Sequence, residues 1–143
     1  MRALVMPAAV RRALVAHARR ERPRECCGLL VGSGARVVFA VPAHNVDPTP
    51  ATRYRVDPRQ HLDLQRVLRG VVPSLAIVGA YHSHPHGDAE PSPSDIAEAH
   101  DAGWVYVIVG LRARTAQVRA FLIRGGRARA VPIRPPRTRS GNR

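Results

Sequence analysis

Residues 75–85 constrain this chain more than any other stretch. Leu75-Ala76-Ile77-Val78-Gly79-Ala80-Tyr81 is an apolar run with two β-branched members, preceded by Pro73 and followed by His82-Ser83-His84-Pro85. Such a run reads as a buried strand. If the strand continues to residue 84, His82 and His84 stand at i and i+2 and point to one face. Pro85 has no N–H for a ladder and ends it. Ser92-Pro93-Ser94-Asp95 then reads as a helix start, with Pro93 at the first helical position and Asp95 in the first turn. A strand end and a helix start thus bring two imidazoles and a carboxylate together across a short loop. His82, His84 and Asp95 are the types that hold zinc, and three protein ligands leave a fourth position for water, as in a catalytic site.

Plainer readings compete. Ser92 and Asp95 resemble a capping box with Asp in place of Glu, which only satisfies orphan N–H groups. His-X-His is also common on surfaces. The conjunction of ligand types, strand-to-helix layout and open turn favours the metal, and a helix-start Ser and Asp can cap and ligate at once. Hydrolysis further needs a carboxylate to take the proton of the attacking water and pass it to the leaving amine. Glu25 is the best candidate, because it immediately precedes an apolar strand at 28–31 and can sit at a sheet end beside the metal. Its plainer reading is an exposed Glu among arginines.

At these residues the chain resembles the JAMM, or MPN-plus, family of zinc metalloproteases. The family pattern is an upstream Glu, then His-X-His-Pro, with seven residues (the Pro counted among them) between the second His and a Ser, then two more residues and an Asp. Glu25, His82-Ser83-His84-Pro85, Ser92 and Asp95 match every spacing. Glu25-Cys26-Cys27-Gly28-Leu29-Leu30 also looks like the bacterial branch, and the resemblance spans roughly residues 5–125. It implies that His82, His84 and Asp95 bind one zinc ion per chain. It makes Glu25 the general base and then the general acid, and Ser92 a donor to the developing oxyanion. It implies hydrolysis of a peptide or isopeptide bond by direct attack of water. It also implies an α/β (α+β) three-layer, cytidine-deaminase-like MPN domain, with a mixed central sheet flanked by helices.

The remaining pattern agrees with such a layered domain. A first helix is expected over about 7–20, and strands over about 27–32 and 35–42 around the turn Gly32-Ser33-Gly34. A loop follows over 43–56, with Tyr54-Arg55-Val56 extended. Asp57-Pro58 caps a second helix that reaches Arg69, with Gly70 as its stop. The third helix is expected from Ser92 to about Ala102. Strands follow at 104–110, 116–124 and 127–133, the last two joined at Gly125-Gly126.

One domain over 1–133 and a disordered Arg/Pro-rich tail over 134–143 account for the length of 143 residues. No apolar run reaches about 18 residues, and the first residues are too short for a signal-peptide core, so no membrane and a cytoplasmic location are expected. Cys26 and Cys27 are adjacent, point to opposite faces of a strand and cannot form a disulfide scaffold. At most one of them could reach the metal. The net charge is +13, and all 23 cations are Arg. Coding bias explains much of that excess, and the arginines are dispersed with little aromatic interleaving, which disfavours nucleic acid as a partner.

Rival functions are distinguishable. A zinc deaminase would carry His-X-Glu and Pro-Cys-X-X-Cys; residue 84 is His, and the cysteines are adjacent. A non-catalytic MPN scaffold would lack ligands or the Glu, whereas all five positions are present. A deubiquitinase-like isopeptidase of broader specificity would carry larger insertions than the loop at 43–56 and the short join before Trp104. The chain resembles the stand-alone bacterial members of the family, and that resemblance implies as partner a ubiquitin-like sulfur carrier protein, cut after its C-terminal Gly-Gly, a tail slim enough for a narrow channel. A homodimer is left open. Asn45 and Tyr54 are candidates to line the channel, and His86 and Asp88 are nearby loop residues with no assigned role.

Overall fold

The computed structural model describes residues 1–138. In chain order the elements are β1 (Leu4–Val5), α1 (Ala8–Glu21), β2 (Cys27–Ser33), β3 (Arg36–Ala43), α2 (Pro58–Val71), β4 (Ala76–His84), α3 (Pro93–Ala97), β5 (Val105–Gly110), β6 (Gln117–Arg124), β7 (Arg127–Val131) and β8 (Ile133–Arg134). The strands form one mixed sheet in the order β7-β6-β5-β4-β2-β3-β1-β8. β4 lies at its centre, antiparallel to β2 and parallel to β5.

Period-two alternation distributes the side chains of β5 between two cores. Val105, Val107 and Val109 face α1, joining Val10, Leu14 and Ala18 as well as Leu30 and Tyr81. Tyr106 and Ile108 face the other side, with Leu29, Ala80, Phe121 and Ile123, against Leu64 of α2 and Ile96 of α3. The sheet is therefore a middle layer between helices, as its strand pattern implied. Among the described residues no helix is long and apolar enough to cross a membrane.

Four expectations need correction. The third helix stops at Ala97 instead of near Ala102. Beyond it, the Asp101 carboxylate accepts the Gly103 N–H at 2.9 Å and the Asp101 N–H donates to the Tyr106 hydroxyl at 3.2 Å; these local bonds replace helical ones. Gly70 does not stop α2, which runs to Val71; Val72 caps it, with the backbone out of the helical region that a following proline disfavours. The strand expected over 127–133 is broken at Pro132, which cannot donate to a ladder. Arg134, counted with the tail, is instead a strand residue that pairs with Val5. Residues 139–143 of that tail lie outside the described residues.

Pro132 has a topological consequence. Val131 pairs with Ala120 at one edge of the sheet, while Ile133 pairs with Leu4 at the other. One residue separates the two edges along the chain, so the sheet curls round until its outermost strands meet. α1 packs within that curl.

Candidate active site

β4 carries His82 and His84 on the face shared with α2 and α3, two residues beyond Ala80. His82 is buried between its neighbours Cys27 on β2 and Ile108 on β5. Asp95 reaches the same point from the first turn of α3. His82 Nε2 lies 3.1 Å and His84 Nε2 3.0 Å from Asp95 Oδ2, and the two nitrogens lie 3.2 Å apart. Three donor atoms thus form a near-equilateral triangle. Ligands about 2.0–2.1 Å from a tetrahedral zinc are separated by about 3.3 Å, so the triangle has the size of one face of such a site.

Hydrogen bonding supports the same use of these atoms. His84 Nδ1 lies 2.8 Å from the Asp88 carbonyl. A carbonyl only accepts, so Nδ1 carries the proton and a neutral His84 presents a bare Nε2 to the cluster. Without a cation, that nitrogen can meet the carboxylate only as an imidazolium. Burial lowers the pKa of His84, but hydrogen bonds to the Asp95 carboxylate and the Asp88 carbonyl outweigh it and raise the value. Burial pushes the Asp95 carboxyl up, yet hydrogen bonds from His82 and His84 hold it well below the usual carboxylate range. In His82 burial dominates and lowers the pKa, despite Asp95. A proton between His84 and Asp95 therefore stands where a metal's positive charge would fit.

Glu25 lies just before β2 and is buried. One ligand atom from each of Glu25, His82 and His84 fits within 4.8 Å of the others. That triplet is looser than the one with Asp95, and its spacing suits a water between Glu25 and a metal better than direct ligation. Glu25 Oε1 is buried and, among the described residues, has no hydrogen-bond partner, which costs about 1–3 kcal/mol unless something is supplied. Burial, first of all, pushes its carboxyl up to about 8; His84 pulls it down, while Asp95 and Asp47 push it up. Such a group exchanges protons near neutrality.

Ser92 and Asp95 do form a capping box. The Ser92 hydroxyl accepts the Asp95 N–H at 3.1 Å, and Asp95 Oδ2 accepts the Ser92 N–H at 2.9 Å. The oxygen that meets the histidines is the one the cap holds, so capping aims it. The Ser92 hydroxyl also shares a 3.0 Å hydrogen bond with Ser94. Ser83, a mere spacer in the motif, is fully buried and its hydroxyl accepts the Cys26 N–H at 2.8 Å. It ties the segment next to Glu25 to β4. A polar residue inside an otherwise apolar strand was the available signal for it. Cys26 and Cys27 are both buried, with thiols pushed up by burial to about 11 and about 12.

The 43–56 loop seals one side. Asn45 does not line a channel; it is the loop's internal tie. Its amide donates to the carbonyls of Glu25 and Arg53, at 3.0 and 2.9 Å, and its oxygen accepts the N–H groups of Asp47 and Arg55, at 3.0 and 3.1 Å. Tyr54 is stacked on His82, with ring centroids 4.1 Å apart and planes 16° from parallel. Tyr54 also lines a cleft of about 850 Å³, floored by Ala80, Trp104 and Tyr106 and rimmed by Arg53 and Glu98. Arg53 pairs with Glu98 across the rim. Asp88 pairs with Arg112 at 3.4 Å.

Comparison with known proteins falls into line with this geometry. The family model described as prokaryotic homologs of the JAB domain matches residues 7–124. A probable TtuB-protein conjugate cleaving protease of Thermus thermophilus is 41% identical over 120 residues, covering 82% of this chain and 74% of that protein. A CysO-cysteine peptidase of Mycobacterium tuberculosis is 32% identical over 133 residues, covering 91% and 89%. Among solved structures, a Desulfitobacterium hafniense protein superposes with a TM-score of 0.83 at 28% identity, covering 94% of each chain. A JAB1/MPN domain protein of Archaeoglobus fulgidus superposes at 0.61 and 17% identity, covering 91% of this chain and 98% of that one.

Proposed function

The chain belongs to the family of prokaryotic JAB-domain homologs, and from that premise we propose that it is a zinc-dependent peptidase. Its substrate is the bond after the C-terminal Gly-Gly of a ubiquitin-like sulfur carrier protein. The relatives named for cleaving TtuB-protein conjugates and for CysO-cysteine support the substrate class. One observation carries the chemistry: three donor atoms 3.0–3.2 Å apart, with a buried, unpartnered glutamate oxygen beside them.

His82, His84 and Asp95 hold the ion. Zinc there supplies a Lewis acid and brings the pKa of water towards 7. Glu25 accepts a proton from the attacking water through its free oxygen; its carboxyl ionises more readily beside a dication. The water oxygen bonds to the glycyl carbonyl carbon and the C–N bond breaks. Glu25 returns the proton to the departing amine, so charge and atoms balance. Ser92 offers its hydroxyl to the oxyanion, and the cleft beside Tyr54 receives the chain next to the cut.

The test uses a carrier fused through Gly-Gly to a C-terminal cysteine, read by mass spectrometry alongside zinc content. Glu25→Gln should retain zinc and lose at least roughly 100-fold in rate. His82→Ala and Asp95→Ala should lose zinc and activity together. A near-normal rate in Glu25→Gln, or unchanged metal in the other two, would overturn these roles.

A further inference from the structure

We propose that Tyr54 is the positioning residue for His82, orienting the imidazole by stacking in place of a hydrogen bond. The inference rests on the zinc reading above and adds a residue to it. Metal-binding imidazoles usually donate their second N–H to a carboxylate or carbonyl, which fixes ring orientation. His84 follows that rule through the Asp88 carbonyl. His82 does not: its Nδ1 is buried and, among the described residues, has no hydrogen-bond partner. Outside the metal triangle itself, where Nε2 meets Asp95, no polar partner therefore stops the ring from turning about the Cβ–Cγ bond.

The Tyr54 ring supplies the missing restraint. It lies nearly parallel to His82 at 4.1 Å, while the His84 ring meets His82 edge-on at 5.0 Å. Rotation of the imidazole would drive it into one or the other. Tyr54 can serve as a fixed wall because its loop is fastened. Asn45 ties the carbonyls of Arg53 and Glu25 together, the Glu25 N–H donates to the Pro50 carbonyl at 2.7 Å, and Asn45 pairs with Val56. The same fastenings join the wall to the backbone of Glu25. The loop thus sets the first histidine and the glutamate relative to each other, although it contributes no ligand.

The stack requires an aromatic face and no phenolic hydroxyl. Zinc affinity measured by competition with a chromophoric chelator, on full-length protein, separates these requirements. Tyr54→Phe should match the wild type within about twofold. Tyr54→Leu, which fills space without a flat face, and Tyr54→Ala should each bind zinc about 10-fold or more weakly, the range of lost orienting partners. Their metal-free thermal midpoints show whether folding is intact, and Tyr54→Leu carries the test if Tyr54→Ala does not fold. Wild-type affinity in Tyr54→Leu would overturn the proposal while leaving the zinc site standing. A wild-type protein that binds no zinc would overturn both.

Discussion

At the scale of single residues, Asp95 shows how one side chain can satisfy two readings of its sequence. The capping box and the metal ligand looked like alternatives, yet the same Oδ2 accepts the Ser92 N–H and faces both imidazoles. Types and spacings made His82, His84, Asp95 and Glu25 legible, because strand and helix periods translate directly into direction. The tautomer of His84, the burial of Ser83 and the stack on His82 depend on residues distant in the chain, and no local pattern encodes them. Ser92 remains the residue with two jobs to separate. Ser92→Ala should cost about 1 kcal/mol of metal-free stability as a lost cap. It should keep zinc and lower kcat by roughly 10- to 100-fold through the lost oxyanion donor. Chemical denaturation and steady-state kinetics on the same sample measure both, and an unchanged kcat would confine Ser92 to capping.

Among the elements, the strand-to-helix connection decides how well the site is held. The loop at 87–89 lies directly on the end of β5, where Gly110 has no side chain. A Cβ there would stand 2.5 Å from the Ala89 nitrogen and 2.7 Å from the Asp88 carbonyl carbon. Backbone cannot yield as a side-chain tip can, so the loop would lift and take the Asp88 carbonyl away from His84 Nδ1. Gly110→Ala should therefore weaken zinc binding by about 10-fold, although the atoms nearest the added methyl group belong to the backbone of residues 87–89 and to no ligand side chain. Chelator competition checks this, and unaltered affinity would show that the carbonyl anchor is dispensable. The central strands were readable because β4 begins with, and β5 consists of, a continuous apolar run. The short α3 was not, because Asp101 ends the helical region through bonds to Gly103 and Tyr106 that only the folded sheet makes available.

For the molecule as a whole, stability should respond to pH in a definite direction. Glu25 titrates at about 8 in the metal-free fold, against an ordinary 4.5, and the pKa of His84 is raised above 6.5. Between about pH 6.5 and 8 these two groups hold more protons in the folded chain than in the unfolded one, so their contribution to stability falls as pH rises through that window. The lowered pKa values of His17 and His82 act the other way, chiefly at its lower end. Denaturant midpoints of chelator-treated protein at several pH values would show this slope. Glu25→Gln should flatten it, and a wild-type midpoint that rises over the same range would contradict it. The curl of the sheet was hidden from sequence reading because two residues on either side of Pro132 serve opposite edges, and no periodicity records which neighbour a strand will choose.

That curl makes the segment from Pro132 to Arg134 a clasp. Met6 and Leu4 are almost wholly sheltered, and the backbone beside them is held by Pro132 and Arg134, whose carbonyls receive the N–H groups of Leu4 and Met6 at 2.8 and 2.9 Å. Removing everything from residue 132 onward would unfasten the opposite end of the polypeptide and leave α1 without its rim. We expect such a shortened protein to lose its cooperative thermal transition, whereas one ending after residue 138 should melt like the parent. A fusion tag attached behind that point leaves the clasp shut; a protease cut ahead of it springs both ends of the molecule at once.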